Sequence, residues 1–296
     1  MSKVAIVTDS TADLPADLVR SRGVTVVPLT VTIGRQSWLD GVEIQPEEFY
    51  QRLAAAHSVP TTSQPTPARF ADAYRSLLEH HDEVVSIHIS ARLSGTFAAA
   101  EQAVDELGAG DRVHLLDSTL VSMPLGLLVL AAAKMAQDGL DGRLIAERIE
   151  EIRRSTQVYF GVKTLDNLAR GGRIGRANAL VGSILQVKPV LTIQDGEVTP
   201  LERVRTWDRA LNRIVDLARA VDTGKGVCAI VGHAVDGESA QRITTALEPV
   251  ADTLLVQPLG AVVGAHAGPG TVGVGCYPAE LFPLGLKLEA GARAAT

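Results

Sequence analysis

The stretch Val84-Val85-Ser86-Ile87-His88-Ile89 is short, largely apolar and rich in β-branched residues, and this pattern predicts a buried strand. The segments that follow predict a helix at Thr96–Leu107 and a second strand at Val113–Leu116. A strand, a helix and a strand in this order are typical of two parallel strands joined by a helical crossover. This unit therefore predicts an α/β fold for the first half of the chain.

The same alternation continues on both sides of this unit. Strands are predicted upstream at Val4–Val7 and Val24–Ile33. Helices are predicted at Leu14–Arg20, Pro46–Ala56, Pro67–Leu78, Val121–Gln137 and Arg143–Arg153. Strands separated by helices of this length imply a parallel sheet with helices on both faces. We assign residues 1–155 to an N-terminal α/β domain.

The second half has a different pattern. Val190–Gln194, Asp195-Gly196 and Glu197–Leu201 together predict a β-hairpin, which pairs its strands antiparallel. The other predicted strands are Val158–Val162, Val227–Gly232, Thr253–Val256 and Thr271–Cys276. The predicted helices are Leu165–Ala169, Ala177–Gln186, Trp207–Ala220 and Ala240–Leu247. We expect a C-terminal α+β domain with a mixed or antiparallel sheet at residues 156–284, followed by a tail at residues 285–296.

Composition excludes several classes of protein. The 296 residues are 46% hydrophobic and 21% charged, which predicts a folded chain with a substantial core. Aromatic residues make up only 4% and the net charge is −6, and both values argue against a nucleic-acid partner. Cys228 and Cys276 are isolated, so they predict neither a metal site nor a disulfide framework.

The sequence also predicts where the protein is found. No signal peptide is recognisable after Met1. The longest apolar region, Thr119–Met135, is interrupted by polar residues and is too short to span a bilayer. We expect a cytoplasmic protein with no stable membrane insertion and no cofactor.

The glycines near the end of the chain imitate a nucleotide-binding motif. Gly268, Gly270 and Gly273 have the spacing of a dinucleotide fingerprint. That motif requires a turn between a strand and a helix, whereas Pro269 lies inside this turn and β-rich sequence follows it. We therefore interpret the segment as a tight loop that presents His266.

Hydroxyl-rich turns precede or follow the predicted elements of the first half. Serine, threonine and aspartate at such places are most often helix caps. Because these turns cluster at strand–helix connections, they also predict a polar binding site at the carboxyl edge of the sheet. The residues of these turns that we take as candidates are Asp9, Ser10, Thr62, Ser63, Ser94, Gly95, Thr96 and Ser118.

Catalysis is a weaker interpretation of the same residues. The sequence has no nucleophile elbow and no metal-ligand spacing. Ser94 and His266 remain an alternative, as nucleophile and base of an esterase or acyl-transferring hydrolase, but no orienting acid is evident. Arg170, Arg173 and Arg176 are either a solvated helix end or a cluster that docks an acidic partner or a phosphate.

In their order along the chain, these motifs resemble the DegV family of bacterial fatty-acid-binding proteins. The resemblance spans residues 7 to 270. The matching pieces are Val7-Thr8-Asp9-Ser10-Thr11-Ala12-Asp13-Leu14, Thr61-Thr62-Ser63-Gln64-Pro65, Leu93-Ser94-Gly95-Thr96, Asp117-Ser118, Leu168-Ala169-Arg170-Gly171-Gly172-Arg173-Ile174 and His266-Ala267-Gly268-Pro269-Gly270. The chain departs from the family at Asn167-Leu168-Ala169-Arg170, where aromatic and lysine residues are frequent.

The resemblance implies a carrier of one long-chain fatty acid with no catalytic residues of its own. It implies that Thr62, Ser94 and His266 hold the carboxylate, with Gly268 in the supporting loop. It further implies an ATP-dependent fatty acid kinase as partner, docked near Arg170, Arg173 and Arg176, which would form an acyl phosphate for phospholipid synthesis.

Overall fold

The computed structural model describes residues 3–56, 58–180 and 187–286. The strands are β1 (Val4–Asp9), β2 (Val24–Val27), β3 (Thr30–Ile33), β4 (Gln36–Leu39), β5 (Thr61–Ser63), β6 (Glu83–His88), β7 (Val113–Asp117), β8 (Gln157–Gly161), β9 (Lys188–Gln194), β10 (Glu197–Val204), β11 (Val227–His233), β12 (Ala251–Pro258) and β13 (Val272–Pro278). The helices are α1 (Ala16–Arg22), α2 (Pro46–Ala55), α3 (Pro67–Leu78), α4 (Thr96–Leu107), α5 (Met123–Gln137), α6 (Gly142–Ser155), α7 (Asp166–Arg170), α8 (Trp207–Arg219), α9 (Gly237–Leu247) and α10 (Ala261–Ala267).

The first half contains a four-stranded parallel sheet in the order β2-β1-β6-β7. Helices α3 and α4 pack on one face of this sheet, and α5 and α6 pack on the other. The parallel sheet with helices on both faces, which the sequence predicts, is therefore confirmed. The carboxyl ends of β1, β6 and β7 lie at one edge, and the hydroxyl-rich turns follow them there.

The second half contains a six-stranded sheet in the order β10-β9-β8-β13-β11-β12. Strands β11 and β12 are parallel, and the other pairs are antiparallel, so the predicted mixed sheet is confirmed. The predicted hairpin joins β9 to β10. Its turn residues Asp195 and Gly196 have φ values of 52° and 79°, the backbone that a two-residue hairpin turn needs.

Helix α5 lies between the two large sheets. It packs on β1 and β6 of the parallel sheet and on β11 and β13 of the mixed sheet. A helix buried on all sides must be apolar all round, which explains the longest apolar run of the sequence. The contact with β13 is close, because a Cβ added to Gly275 would lie 2.5 Å from the Pro124 nitrogen.

The prediction of one strand at Val24–Ile33 is wrong. The segment contains two strands, and β2 joins the parallel sheet while β3 joins a three-stranded antiparallel sheet in the order β4-β3-β5. Pro28 separates the strands and has no backbone N–H for a sheet ladder. Residues Thr61–Ser63 are therefore a strand of this small sheet rather than a turn before a helix.

The prediction of a tight loop around His266 is also wrong, because His266 lies in α10. The glycines of this segment suggested a loop, yet Gly264 is inside the helix, where a Cβ would overlap the Tyr50 hydroxyl. A helix is also predicted at Ala177–Gln186. The part of this segment that the structure describes belongs to a 3-10 helix at Gly175–Leu180, and residues 181–186 lie outside the described residues.

The start of the predicted tail is attached to the mixed sheet. The Gly285 N–H donates to Asp252 Oδ2 at 3.1 Å, and the Leu286 N–H donates to Thr253 Oγ1 at 3.1 Å. Residues 287–296 of the tail lie outside the described residues. The described end of the chain thus runs beside β12.

Candidate functional site

An apolar cavity of about 790 Å³, including the part that opens to solvent, is lined by residues of the mixed sheet, of the small sheet and of the loops at the carboxyl edge of the parallel sheet. Val158 and Phe160 on β8, Ile89 after β6, and Leu259 and Val262 at the start of α10 contribute to its wall. Pockets that hold small molecules are typically lined in this way, by hydrophobic side chains with a few polar groups among them. This arrangement can hold an extended apolar ligand.

Three residues predicted to hold a carboxylate line this one cavity. Thr62 Oγ1 lies 2.8 Å from His266 Nε2, although the two residues are 204 positions apart in the sequence. Ser94 Oγ lies 2.8 Å from Thr96 Oγ1 and accepts a hydrogen bond from the Thr96 N–H at 3.3 Å. The fold therefore brings Thr62, Ser94 and His266 to the wall of one cavity.

His266 is neutral at physiological pH. Burial, together with the positive charge of Arg173, lowers the pKa of its imidazole to about 4. A neutral imidazole donates from one ring nitrogen and accepts at the other. If Nε2 carries the hydrogen and donates to Thr62 Oγ1, the Thr62 hydroxyl is free to donate to a ligand. The pair can thus offer an O–H donor to a ligand oxygen.

The second nitrogen of His266, Nδ1, is buried and has no hydrogen-bond partner among the described residues. Gly171 lies against it, and a Cβ on Gly171 would overlap the Nδ1 atom. Gly268 is similarly constrained: it ends α10 with a φ of 82°, and a Cβ there would overlap the Asn167 side-chain amide. Helix α7 and the turn after it therefore shape the position of the imidazole.

Arg173 lies in the cavity wall, where sequence reasoning did not place it. Its Nε donates to the Leu93 carbonyl at 3.0 Å, and its Nη1 donates to the Gly171 carbonyl at 2.7 Å. The sequence grouped Arg173 with its neighbours because only their spacing was visible. Arg170 is exposed, and Arg176 is 3.1 Å from Asp195 and 3.6 Å from Glu197.

Asp9 supports the cavity wall from behind. Its buried carboxylate accepts hydrogen bonds from the Thr11 N–H and the Ile89 N–H, both at 3.0 Å, and Thr11 and Ile89 line the cavity. His88 Nδ1 also lies 3.0 Å from this carboxylate. Ser10 Oγ accepts a hydrogen bond from the N–H of Leu29, another residue of the cavity wall, at 3.1 Å.

The remaining candidates hold loops near the site. Ser118 is buried and exchanges hydrogen bonds with Leu120, at 3.1 and 3.2 Å. Thr96 is buried at the start of α4, and Gly95, which precedes it, packs against the side chain of Gln64. Ser63 is exposed at the end of β5.

The hydrogen bonds do not form a catalytic triad. His266 Nε2 faces the Thr62 hydroxyl, and the Ser94 hydroxyl faces Thr96. A nucleophilic serine needs a base within hydrogen-bond reach and an acid that orients that base. Among the described residues no acid contacts His266 Nδ1, so the orienting acid that a triad needs is not found there.

The described part of the chain has neither a metal-binding cluster nor a membrane-spanning helix. No group of three or more His, Cys, Asp or Glu side chains in this part of the chain is placed to hold a metal ion. No helix within the described ranges has the length and hydropathy needed to cross a membrane.

Residues 3–279 match the model of a family described as uncharacterised proteins of the DegV family. The chain belongs to the DegV family. A DegV domain-containing protein of Streptomyces coelicolor is 42% identical over 275 residues, which cover 92% of this chain and 97% of the relative. The family predicted from the sequence motifs is therefore confirmed.

Solved structures of similar proteins have the same fold. A DegV family protein from Thermus thermophilus, described as fatty-acid-binding, has a TM-score of 0.88 and 39% identity, with 94% of this chain and 99% of that chain covered. A stearic acid-binding protein from Eubacterium ventriosum has a TM-score of 0.83 and 28% identity, with 93% and 98% covered. The predicted α/β fold class is confirmed by these neighbours.

Proposed function

We propose that this DegV protein binds one long-chain fatty acid, with the acyl chain in the apolar cavity and the carboxylate beside Thr62, Ser94 and His266. The observation that carries the proposal is the hydrogen-bonded Thr62–His266 pair in the wall of an otherwise apolar cavity. The solved relatives that are described as fatty-acid-binding support it.

The acyl chain would supply most of the affinity. Burying about 14 methylenes at ~0.8 kcal/mol each contributes roughly 11 kcal/mol. Association costs about 4–15 kcal/mol, and a cavity that already exists in the folded protein keeps that cost low. A chain of this length can therefore bind tightly without a covalent bond.

The carboxylate would set the orientation of the ligand. A buried carboxylate is costly unless it is hydrogen-bonded, and each bond to the charged group contributes about 1.5–3 kcal/mol. Thr62 and Ser94 offer hydroxyl donors, and the guanidinium of Arg173 supplies positive charge in the same wall. These residues bind the head group and do not react with it.

We expect the Thr62→Val substitution to weaken fatty acid binding by at least about tenfold, because a donor to the charged head group is lost. Stearate binding to delipidated protein, measured by titration calorimetry and by native mass spectrometry, tests this. Thr61→Val is the matched control, because Thr61 is exposed on the same strand. A wild-type protein that carries no lipid after purification and takes up neither stearate, palmitate nor oleate would disprove the binding function.

We further propose that the bound carboxylate is presented to an ATP-dependent fatty acid kinase, whose acyl phosphate product would serve phospholipid synthesis. The basic segment that contains Arg170, Arg173 and Arg176 borders the polar end of the cavity through Gly171, which contacts His266. Arg170 is the docking candidate that can be substituted without changing the cavity, because its side chain is exposed. Arg173, in contrast, forms part of the cavity wall.

We expect Arg170→Ala to leave stearate binding unchanged and to slow acyl phosphate formation by a purified fatty acid kinase several-fold, since rim charges act mainly on association. The kinase reaction, run with loaded protein below saturation, measures the effect. Arg143→Ala on α6 removes another exposed arginine and should change neither value. Equal rates for Arg170→Ala and wild type would remove Arg170 from the docking surface.

A further inference from the structure

The N-terminus of α10 is capped by two carboxyl groups from the other half of the chain. Its N-cap residue is Gly260, which has no side chain to cap the helix. The Gly260 N–H donates to Asp13 Oδ1 at 2.9 Å, and the Ala261 N–H donates to Asp40 Oδ1 at 3.0 Å. The partners are 247 and 221 positions apart in the sequence, so these caps are tertiary contacts.

Both carboxyl groups are buried and held in place. Asp13 is 9% exposed and Asp40 is 3% exposed. The Ser122 hydroxyl donates to Asp13 Oδ2 at 2.5 Å. A Cβ on Gly260 would lie 2.5 Å from Asp13 Oδ1 and 3.4 Å from both Asp40 carboxyl oxygens, so the two groups converge on one residue.

The small sheet holds α10 at both ends. Asp40 directly follows β4, and its N–H donates to the Leu29 carbonyl at 2.9 Å. Thr62, which meets His266 near the other end of α10, lies on β5 of the same sheet. Because α10 has only seven residues, it moves almost as a rigid body, and a shift at its first turn therefore also moves His266.

Burial of two acids side by side needs an explanation, because burial disfavours the charged form of each carboxyl group. Burial raises the pKa of Asp40 to about 6, and burial together with the nearby Asp40 charge raises the pKa of Asp13 in the same direction. The Ser10 hydroxyl and the N–H groups of Ala261 and Val262 lower the pKa of Asp40 and so offset only part of this effect. An exposed cap would stabilise the helix at lower cost, so this pair is suited to fixing where the helix starts.

We propose that Asp13 and Asp40 are positioning residues for the head-group site: they fix the first turn of α10, and so the place at which His266 meets Thr62. This inference rests on the proposed function only in taking that pair as the site of a carboxylate. Neither acid touches the ligand, and their effect passes through the helix.

The test compares Asp40→Ala, which removes the acceptor, with Asp40→Asn, which retains an oxygen for the Ala261 N–H. The first measurement is the ring nitrogen NMR signal of His266 in lipid-free protein, assigned with His266→Gln. The second is stearate affinity. We expect Asp40→Ala to shift the His266 signal and to weaken stearate binding about tenfold. We expect Asp40→Asn to return the signal to its wild-type position and the stearate affinity to within about twofold of the wild type.

Asp141→Ala is the matched control, because Asp141 caps α6 through the Leu144 N–H at 2.8 Å. It should lower the melting temperature without moving the His266 signal. If Asp40→Ala fails to fold, Gly260→Ala replaces it, since the added Cβ displaces the Asp13 carboxyl without removing either acid from the chain.

The outcomes separate the two proposals. An unchanged His266 signal and unchanged affinity in a folded Asp40→Ala protein would overturn the positioning role. A shifted signal in Asp40→Ala, restored in Asp40→Asn, would support that role even if the wild-type protein bound no fatty acid, in which case the proposed function alone would fail.

Discussion

Gly171→Ala should abolish most fatty acid binding, although the substitution adds one methyl group outside the cavity lining. Gly171 has an ordinary helical φ of −75°, so an alanine there carries no backbone strain. Its Cβ would overlap His266 Nδ1 and lie 3.0 Å from Cε1, so the imidazole must move. We expect the Thr62–His266 hydrogen bond to break and stearate affinity to fall by roughly 10- to 100-fold.

Stearate calorimetry and a crystal structure of the Gly171→Ala protein measure this effect. Overpacking at a fixed neighbour also costs roughly 1–3 kcal/mol of unfolding free energy. Gly110→Ala is the matched control, because a Cβ at Gly110 meets nothing within 4 Å. The control should bind stearate as the wild type does. A Gly171→Ala protein with wild-type affinity would show that the imidazole position does not govern head-group binding.

Acidification should destabilise the lipid-free protein through His266. Its folded pKa is about 4 against an ordinary value of 6.5, so between these two pH values the unfolded chain binds a proton that the folded protein does not. The contribution of His266 to the free energy of unfolding is therefore fully present above about pH 6.5 and is lost as the pH falls towards 4. The whole shift corresponds to about 3 kcal/mol at most.

The His266→Gln variant isolates this contribution. Asp40 shifts in the opposite sense, because its raised pKa of about 6 favours the folded state at low pH, and that contribution remains in both proteins. Urea unfolding at about pH 7.5 and pH 4.5 gives the two free energies. We expect the wild type to lose about 2–3 kcal/mol more than His266→Gln over this interval.

Substitution of the exposed His80 by glutamine is the control, and it should leave the wild-type pH dependence unchanged. If His266→Gln and the wild type lost the same free energy on acidification, His266 would not be held neutral by burial. Its proposed role as half of an uncharged donor pair would then be wrong.

Local patterns predicted most of the secondary structure. The strand–helix–strand unit around Val84–Ile89 is correct because short β-branched runs and helical periodicity are properties of neighbouring residues. The hairpin at Asp195-Gly196 is correct for the same reason. The error at Val24–Ile33 is local, since Pro28 marks the break between two strands, whereas the error at His266 involves a distant contact. Gly264 looks like a loop glycine, yet it lies inside α10, where Tyr50 packs against it.

The site shows the same division. Thr62, Ser94 and His266 could be selected from the sequence through the family motifs, but nothing local indicates that a hydroxyl and an imidazole 204 positions apart share a hydrogen bond. Arg173 could be recognised as basic, yet its place in the cavity wall depends on the Leu93 carbonyl, which another segment supplies.

The amino-acid sequence by itself determined most of the strands and helices, the division into a parallel and a mixed sheet, and the family, because each depends on patterns of residues that are close along the chain. Only the tertiary structure decided the cavity, the neutral state of His266 and the capping of α10 by Asp13 and Asp40. Those properties depend on burial and on contacts across more than 200 positions, which arise only when the sheets and α10 pack together.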